Sequence, residues 1–418
     1  MKIIILTKEQ FDNYANNHKY KNFYQTSQYG TLMKKKGFND FYLGLIDDNN
    51  NIMAATLILE KKILNFFKVG YSPRGFLIDF YNKELVYIFT KYLKKYLFNL
   101  GFIYIKLDPP VLYLERDKDG SPIAGGINNQ DILYFLKKLD YEHQGFNNNF
   151  NRLLPRWNVV TKLNPSSQVL FSSFSKQTKN KIRKSYRRGI TIYKGTKNEL
   201  KLFYSFLDKS ISERIDYYMS YYDIFKEKDM IELYFAKLNP STFIQTSNKL
   251  FENEHKRNAH LTNLVQENTK SKAVNRYISL KMNSDKLLNN YKQDIISANS
   301  IFGSYPNGVI VAASLIIKYN NEIFFLAEGY NKEFKRFCAN HLMKWVIINE
   351  YAKKGYSIAN HNGISGYFKS NKPYYGLYKY KIGFNGDIFE YIGEFNLVIN
   401  KYLYFFINKF NFIEKNKK

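Results

Sequence analysis

The chain has 418 residues, with 63 Lys plus Arg against 36 Asp plus Glu and a formal net charge of +27 at pH 7. Its 45% hydrophobic and 18% aromatic content can fill sizeable cores, which excludes a disordered basic tail protein, and the length suggests two or three domains. The single cysteine, Cys338, excludes an internal disulfide framework and a multi-cysteine metal site and suits a reducing compartment.

A positive excess of this size in a soluble chain implies an anionic partner, and RNA, DNA, an anionic membrane face and phosphorylated substrates all qualify. Genomic base bias is an alternative source of part of the lysine surplus. Residues 1–8 hold an apolar run of only four residues, Ile3 to Leu6, which reads as a first strand and is too short for a signal peptide. The longest other apolar stretch, 309–317, is interrupted by Ser314 and falls well short of a membrane helix. The expected location is the cytoplasm, with peripheral association at the inner membrane face left open.

Strand-like runs at 41–46, 54–59 and 102–107 alternate with a helical run at 84–100, so residues 1–150 read as an α/β unit. Residues 151–240 together with 299–400 repeat that style, with strands at 309–317 and 323–327 and a helix at 337–354. Between them, 241–298 is polar and places apolar residues such as Leu261, Leu264, Leu288 and Tyr291 at helical spacings. A polar break at 268–271 would fold it into a helical hairpin, read either as a protruding arm or as an ordinary packed pair. Residues 401–418 read as a C-terminal helix or tail.

No Walker-type or dinucleotide-binding glycine motif is present, and the six histidines form no metal-ligand pattern, so no cofactor and no metal is expected. Cys338 reads as a buried thiol on a helix. The densest charge is at 176–188, seven basic residues in thirteen with no acid. On a helix, Lys176, Lys179, Arg183 and Arg187 share one side, a row suited either to tracking phosphates or to plain solvation.

Several segments together resemble the FemABX family, peptidyltransferases that move an amino acid from aminoacyl-tRNA onto the stem peptide of a cell-wall precursor. They are Phe23-Tyr-Gln-Thr-Ser-Gln-Tyr-Gly30, Lys34-Lys-Lys-Gly37, Tyr71-Ser-Pro-Arg-Gly75, Ile105-Lys-Leu-Asp-Pro109, Pro155-Arg-Trp157, Lys179-Asn-Lys-Ile-Arg183, Glu213-Arg-Ile-Asp216, Gly376-Leu-Tyr-Lys-Tyr-Lys-Ile-Gly-Phe384 and Tyr391-Ile-Gly-Glu394. The ordered set spans nearly the whole chain. The resemblance implies an α/β fold of two acetyltransferase-like subdomains with an inserted helical hairpin arm. It implies aminoacyl-tRNA as co-substrate, a lipid-linked peptidoglycan precursor as acceptor, and a homo- or hetero-dimer with a related transferase as a further partner.

The resemblance also assigns roles. Lys36, Arg214 and Tyr218 would hold the phosphorylated precursor, the last two four apart and so on one face if helical, Glu394 matches a further carboxylate there, and Lys381 with Tyr380 would lie at the transferred carbonyl. Asp108 would lie near the acceptor amine, to orient it or to take its proton. Each keeps a plainer reading: Lys36 as a solvated amine, Asp108 as a strand-end residue satisfying a turn, Glu394 as part of a turn, and Lys381, without the resemblance, as a surface residue of a strand. The basic helix at 176–188 would hold the tRNA. One departure concerns Ala359-Asn-His-Asn-Gly363, where the family carries a Tyr-Asp-Phe-Gly-Gly-like segment, so Asn360 replaces the acid. Two other readings are an acyl-CoA-dependent acyltransferase and a catalytically altered tRNA- or RNA-binding homologue. The first is weakened because 330–339 has no glycine to cradle a pyrophosphate.

Overall fold

The computed structural model describes residues 1–63, 67–149, 154–210, 212–267 and 274–409. Its strands are β1 Lys2–Ile5, β2 Asn39–Ile46, β3 Ile52–Ile63, β4 Phe67–Ser72, β5 Phe102–Leu107, β6 Leu112–Arg116, β7 Tyr141–His143, β8 Trp157–Lys162, β9 Ile190–Gly195, β10 Ile231–Leu238, β11 Val309–Tyr319, β12 Glu322–Tyr330, β13 Ile358–Ile364, β14 Asp387–Tyr391 and β15 Phe395–Val398. Its helices are α1 Lys8–Asn17, α2 Ser27–Lys34, α3 Lys83–Asn99, α4 Gln130–Lys138, α5 Ser167–Ser173, α6 Lys176–Arg187, α7 Leu200–Phe206, α8 Ile215–Lys226, α9 Pro240–Glu267, α10 Val274–Ser304, α11 Ala339–Lys353, α12 Tyr375–Ile382 and α13 Lys401–Lys409.

These elements build two mixed sheets, one ordered β1-β2-β3-β4-β5-β15-β7 and the other β6-β14-β8-β13-β12-β11-β10-β9. Alternation along the strands splits side chains between two cores. On β10, Leu233 and Phe235 join Phe23, Tyr24 and Leu57 of the first half in one shared cluster. Tyr234, Ala236 and Leu238 join Met343 and Ile347 of α11 on the other face. Both faces of the second sheet are therefore buried, and the shared cluster packs the two halves against each other.

The halves also exchange strands. β6 precedes residue 150 yet pairs with β14 in the second sheet, while β15 follows residue 299 yet pairs with β5 in the first. The units expected at 1–150 and at 151–240 with 299–400 therefore do not each own one sheet. Glu390 of β14 locks the exchange: its carboxylate takes Arg116 Nε of β6 at 2.6 Å and also the guanidinium of Arg156, which precedes β8.

Among the described residues each sheet has one parallel pair, β4 with β5 and β12 with β13. The second is short: only Glu322–Phe324 align with Ile358–Asn360, after which the strands part. Beyond that point Asn362 Nδ2 reaches Leu326 O at 3.2 Å across the opening.

The described parts of 241–298 are helical as expected, in α9 and α10, which extend past the segment at both ends. They pack side by side: Asn258 Nδ2 donates to Asp285 Oδ1 at 2.7 Å and Ser284 Oγ to Glu254 Oε1 at 2.6 Å. The polar break at 268–271 and the tail at 410–418 lie outside the described residues. Cys338 departs from expectation. It is only partly buried and sits at φ 56° between the 3-10 turn Lys332–Phe337 and α11, so it breaks the helix expected across 337–354. Among the described residues, no helix is long and apolar enough to cross a membrane.

Candidate active site

The carboxyl end of a parallel strand pair is where an α/β sheet leaves backbone groups unpaired and room for a ligand. Both sheets place buried charge at that position.

In the first sheet, β5 ends at Leu107, and Asp108, at the strand end before Pro109 and Pro110, is buried. Its Oδ1 accepts from Arg74 N at 2.9 Å and from the Tyr71 hydroxyl at 3.2 Å, and its Oδ2 lies 3.4 Å from the Arg74 guanidinium. Burial raises Asp108 to about 6 despite the opposing pull of Arg74. Arg74 stays cationic; it also donates to Pro155 O at 2.6 Å and stacks 4.2 Å over Tyr391. Glu394 lines the same small cavity as Asp108, Arg74, Arg156 and Tyr391, and faces Lys106 at 3.8 Å. The turn before Glu394 requires glycine: Gly393 sits at φ 101°, where a Cβ would also meet His143 Nε2 at 2.8 Å.

The expected precursor residues are partly gathered. Lys36 is paired rather than freely solvated, 2.8 Å from Glu213 and 3.8 Å from the Tyr217 ring. Arg214, expected on one helix face with Tyr218, is instead the N-cap of α8, with its side chain 90% exposed beside Asp216. Tyr218 is buried against Phe203, so the two side chains point into different surroundings despite their spacing of four. Tyr217, hydrogen-bonded to Tyr29, connects the Lys36 side to the buried tyrosines around Asp108.

In the second sheet, Lys381 lies in α12, buried, rather than on the surface of a strand. Its Nζ donates to Gly363 O of β13 at 2.6 Å. Lys344 of α11 is fully buried, with Nζ 2.8 Å from Glu328 Oε2 and 3.1 Å from His361 Nδ1. The tautomer of His361 follows from its partners. Thr161 spends its one hydroxyl proton on Phe384 O at 3.1 Å, so it accepts from His361 Nε2–H at 2.9 Å, leaving Nδ1 to accept from Lys344. Burial and the neighbouring lysines hold His361 neutral, well below the usual histidine range. Burial, then Lys344, lowers Lys381 to about 7, so it is not the permanently charged group a surface lysine would be. The Tyr380 hydroxyl lies 3.3 Å from Glu328 Oε1 and 3.2 Å from Asn340 O.

On the opposite face of β13, Asn360 is hydrogen-bonded to Glu322, whose carboxyl burial raises to about 7. An acid thus stands beside the asparagine that occupies the family's acidic position. Sequence reading did not single out Arg74, Glu328, Lys344, His361 or Glu322. The available signals were the lone lysine inside the apolar run Leu342-Met-Lys-Trp-Val346 and the histidine within the divergent 359–363 segment.

The basic row lies next to Lys381. Ser175 caps α6 through Thr178 N and donates its own N–H to Gly383 O, one residue beyond α12. Thr178, Ile182 and Ser185 face inward, while Lys176, Arg183 and Arg187 point out; Lys179 is half-buried, with Nζ on Ser172 O at 2.8 Å. Arg188, the C-cap of α6, pairs with Asp294 of α10. Arg183, Arg187, Tyr186, Phe171 and Trp345 border an open groove of about 630 Å³ along α6 and α11. Among the described residues no group of three His, Cys, Asp or Glu is placed to hold a metal ion.

The family model described as FemAB family matches residues 6–411. The Aminoacyltransferase FemA of Staphylococcus epidermidis (strain ATCC 35984) is 28% identical over 429 residues, covering 100% of both chains. The Aminoacyltransferase FemA of Staphylococcus aureus (strain MRSA252) is 27% identical over 413 residues, covering 97% of each. A solved structure described as the crystal structure of FemX superposes with a TM-score of 0.74 at 21% identity, over 97% of this chain and 100% of that one, and shows the shared fold.

Proposed function

The chain belongs to the FemAB family, and on that premise we propose that it transfers an amino acid from aminoacyl-tRNA to a stem-peptide amine of a lipid-linked peptidoglycan precursor, extending the interpeptide bridge. The observation that carries this reading is the placement of Lys381, buried at the end of the β12–β13 pair and adjoining the start of the basic helix α6.

The ester of an aminoacyl-tRNA is already activated, so the site must align two large anions, manage one proton and steady the developing oxyanion. In this reading α6 follows the tRNA backbone while the Tyr186–Trp345 groove takes exposed bases, since aromatic faces beside arginines suit single-stranded nucleic acid. The charged 3′ end then reaches Lys381 and Tyr380. The acceptor approaches from the first sheet, with its phosphates toward Lys36 and Arg214 and its amine toward Asp108, where Tyr218 and Glu394 help shape the walls. Asp108 is already held by Arg74 N, the Arg74 guanidinium and the Tyr71 hydroxyl, so it is assigned orientation of the amine rather than removal of its proton. The α9–α10 pair serves as the arm, and the transferase works at the inner membrane face, alone or with a related partner.

The test is precursor-dependent loss of the aminoacyl group, followed on acid gels with a mixture of charged tRNAs. Deacylation that needs both enzyme and lipid-linked precursor is expected. Equal rates with and without precursor contradict the proposal.

A further inference from the structure

Two buried lysines, Lys344 and Lys381, lie behind the opening between β12 and β13, and the carboxylate there, Glu328, pairs with the first. Lys344 is saturated: its Nζ contacts Glu328 and His361 and lies 3.8 Å over the Phe325 ring. Burial lowers Lys344, but His361 Nδ1 is an acceptor by its tautomer and Glu328 is an acid, so both neighbours favour an ammonium there against that pull. Lys381 differs. Its Nζ meets a carbonyl oxygen, which accepts equally from an amine or an ammonium, and no carboxylate lies within ion-pair distance of it among the described residues.

The titratable groups around Lys381 are Lys344 from α11, Glu328 from β12, His361 from β13 and Tyr380 from its own helix, against which His341 of α11 packs with Lys181 of α6 beside it. Of these only Glu328 is an acid, and it is engaged by Lys344 and Tyr380.

We propose that Lys344, fixed as an ammonium by Glu328 and His361, is a positioning residue that keeps Lys381 available as a free amine, and that Lys381 carries the proton of the transfer. The acceptor nitrogen forms a bond to the ester carbonyl carbon, and the bond from that carbon to the ribose oxygen breaks. Lys381 takes the proton the nitrogen loses and gives it to the departing oxygen, so the step balances with no co-reactant. A value near 7 suits a group that must both take and give a proton at neutral pH. The proton's route rests on the aminoacyl-transfer reading; the protonation state of Lys381 does not.

Competitive acetylation of the full chain at graded pH, read peptide by peptide by mass spectrometry, gives the titration midpoint of Lys381 with no substrate present. The midpoint is expected near neutrality in the parent and about one pH unit or more higher in Lys344→Met, where the like charge is gone. In Lys344→Met/Glu328→Gln it should fall between the two, because the acid that favours protonation is gone as well. A purely structural role for Lys344 would not order the midpoints this way. An unshifted or lowered midpoint in Lys344→Met, or an ordinary lysine midpoint in the parent, overturns the proposal. Should Lys344→Met not fold, the double variant, which leaves no buried charge unpaired, provides the comparison, and a midpoint at or below the parent's overturns it. Where transfer is measured, its acid limb should move with the midpoint; a limb that stays fixed while the midpoint moves overturns the proton-carrying role. Absent transfer with ordered midpoints would sink the aminoacyl-transfer reading and leave the role of Lys344 supported.

Discussion

Replacing Lys381 by methionine should abolish transfer while making the protein more stable. Keeping a lysine in an environment that lowers it from 10.5 to about 7 costs up to about 5 kcal/mol at neutral pH. Methionine fills similar volume with no charge to desolvate. Against this stands the lost hydrogen bond to Gly363 O, whose orphaned carbonyl costs about 1–3 kcal/mol. The net expectation at pH 7 is a gain of up to about 2–4 kcal/mol, a reserve that a purely structural position would not carry. The pH dependence has a definite sign. Because the folded value is depressed, the native state binds fewer protons than the unfolded chain between about 7 and 10.5, so the parent gains stability as pH rises through that window. The advantage of Lys381→Met should therefore be full at pH 7 and shrink steadily toward pH 10. Calorimetric unfolding of both proteins across that range measures it, alongside binding of charged tRNA, which should persist. A methionine variant that is less stable than the parent at pH 7, by an amount independent of pH, would refute the reasoning.

Three further outcomes follow from other parts of the molecule. Arg183→Ala and Arg187→Ala should each lower the slope of log affinity for tRNA against log salt by about 1, and slopes equal to the parent's would remove α6 from the interface. Glu390→Gln leaves the Arg156 guanidinium, and much of Arg116, buried without a counter-charge and should cost about 3–5 kcal/mol, read as a lowered urea midpoint; an unchanged midpoint would mean that the strand exchange does not depend on this carboxylate. Burial depresses His341 to about 3 and His18 to about 4, so the stability they preserve is complete above about 6.5 and is lost as pH falls toward those values. Melting temperature should drop between pH 6.5 and 4 and drop less steeply in His341→Gln; parallel curves would contradict that assignment.

The parts of the fold set by local periodicity were legible from the chain. The strand at 102–107 and the basic helix starting at 176 emerge where alternation and charge placed them, and Asp108 ends its strand as the following prolines require. What periodicity does not carry is which sheet a strand joins. Leu112–Arg116 and Phe395–Val398 look like ordinary strands, and only their partners, through Glu390 in one case, place them in opposite halves. The site was legible through resemblance more than through physics. Lys381 sits in a tyrosine- and lysine-rich run that suggests surface, and its burial arises from Lys344, His361 and Gly363, residues 18 to 37 positions away. Spacing misled for Arg214 and Tyr218, because the helix starts between them and turns the first out into solvent.

In the proposed reaction this chain joins an amino acid from tRNA to a peptidoglycan precursor. Incubating it with total charged tRNA and lipid-linked precursor, then weighing the precursor by mass spectrometry, tests that directly. A mass gain equal to one or more amino-acid residues is expected with the parent protein and none with Lys381→Met. A precursor whose mass is unchanged with every charged tRNA would contradict it.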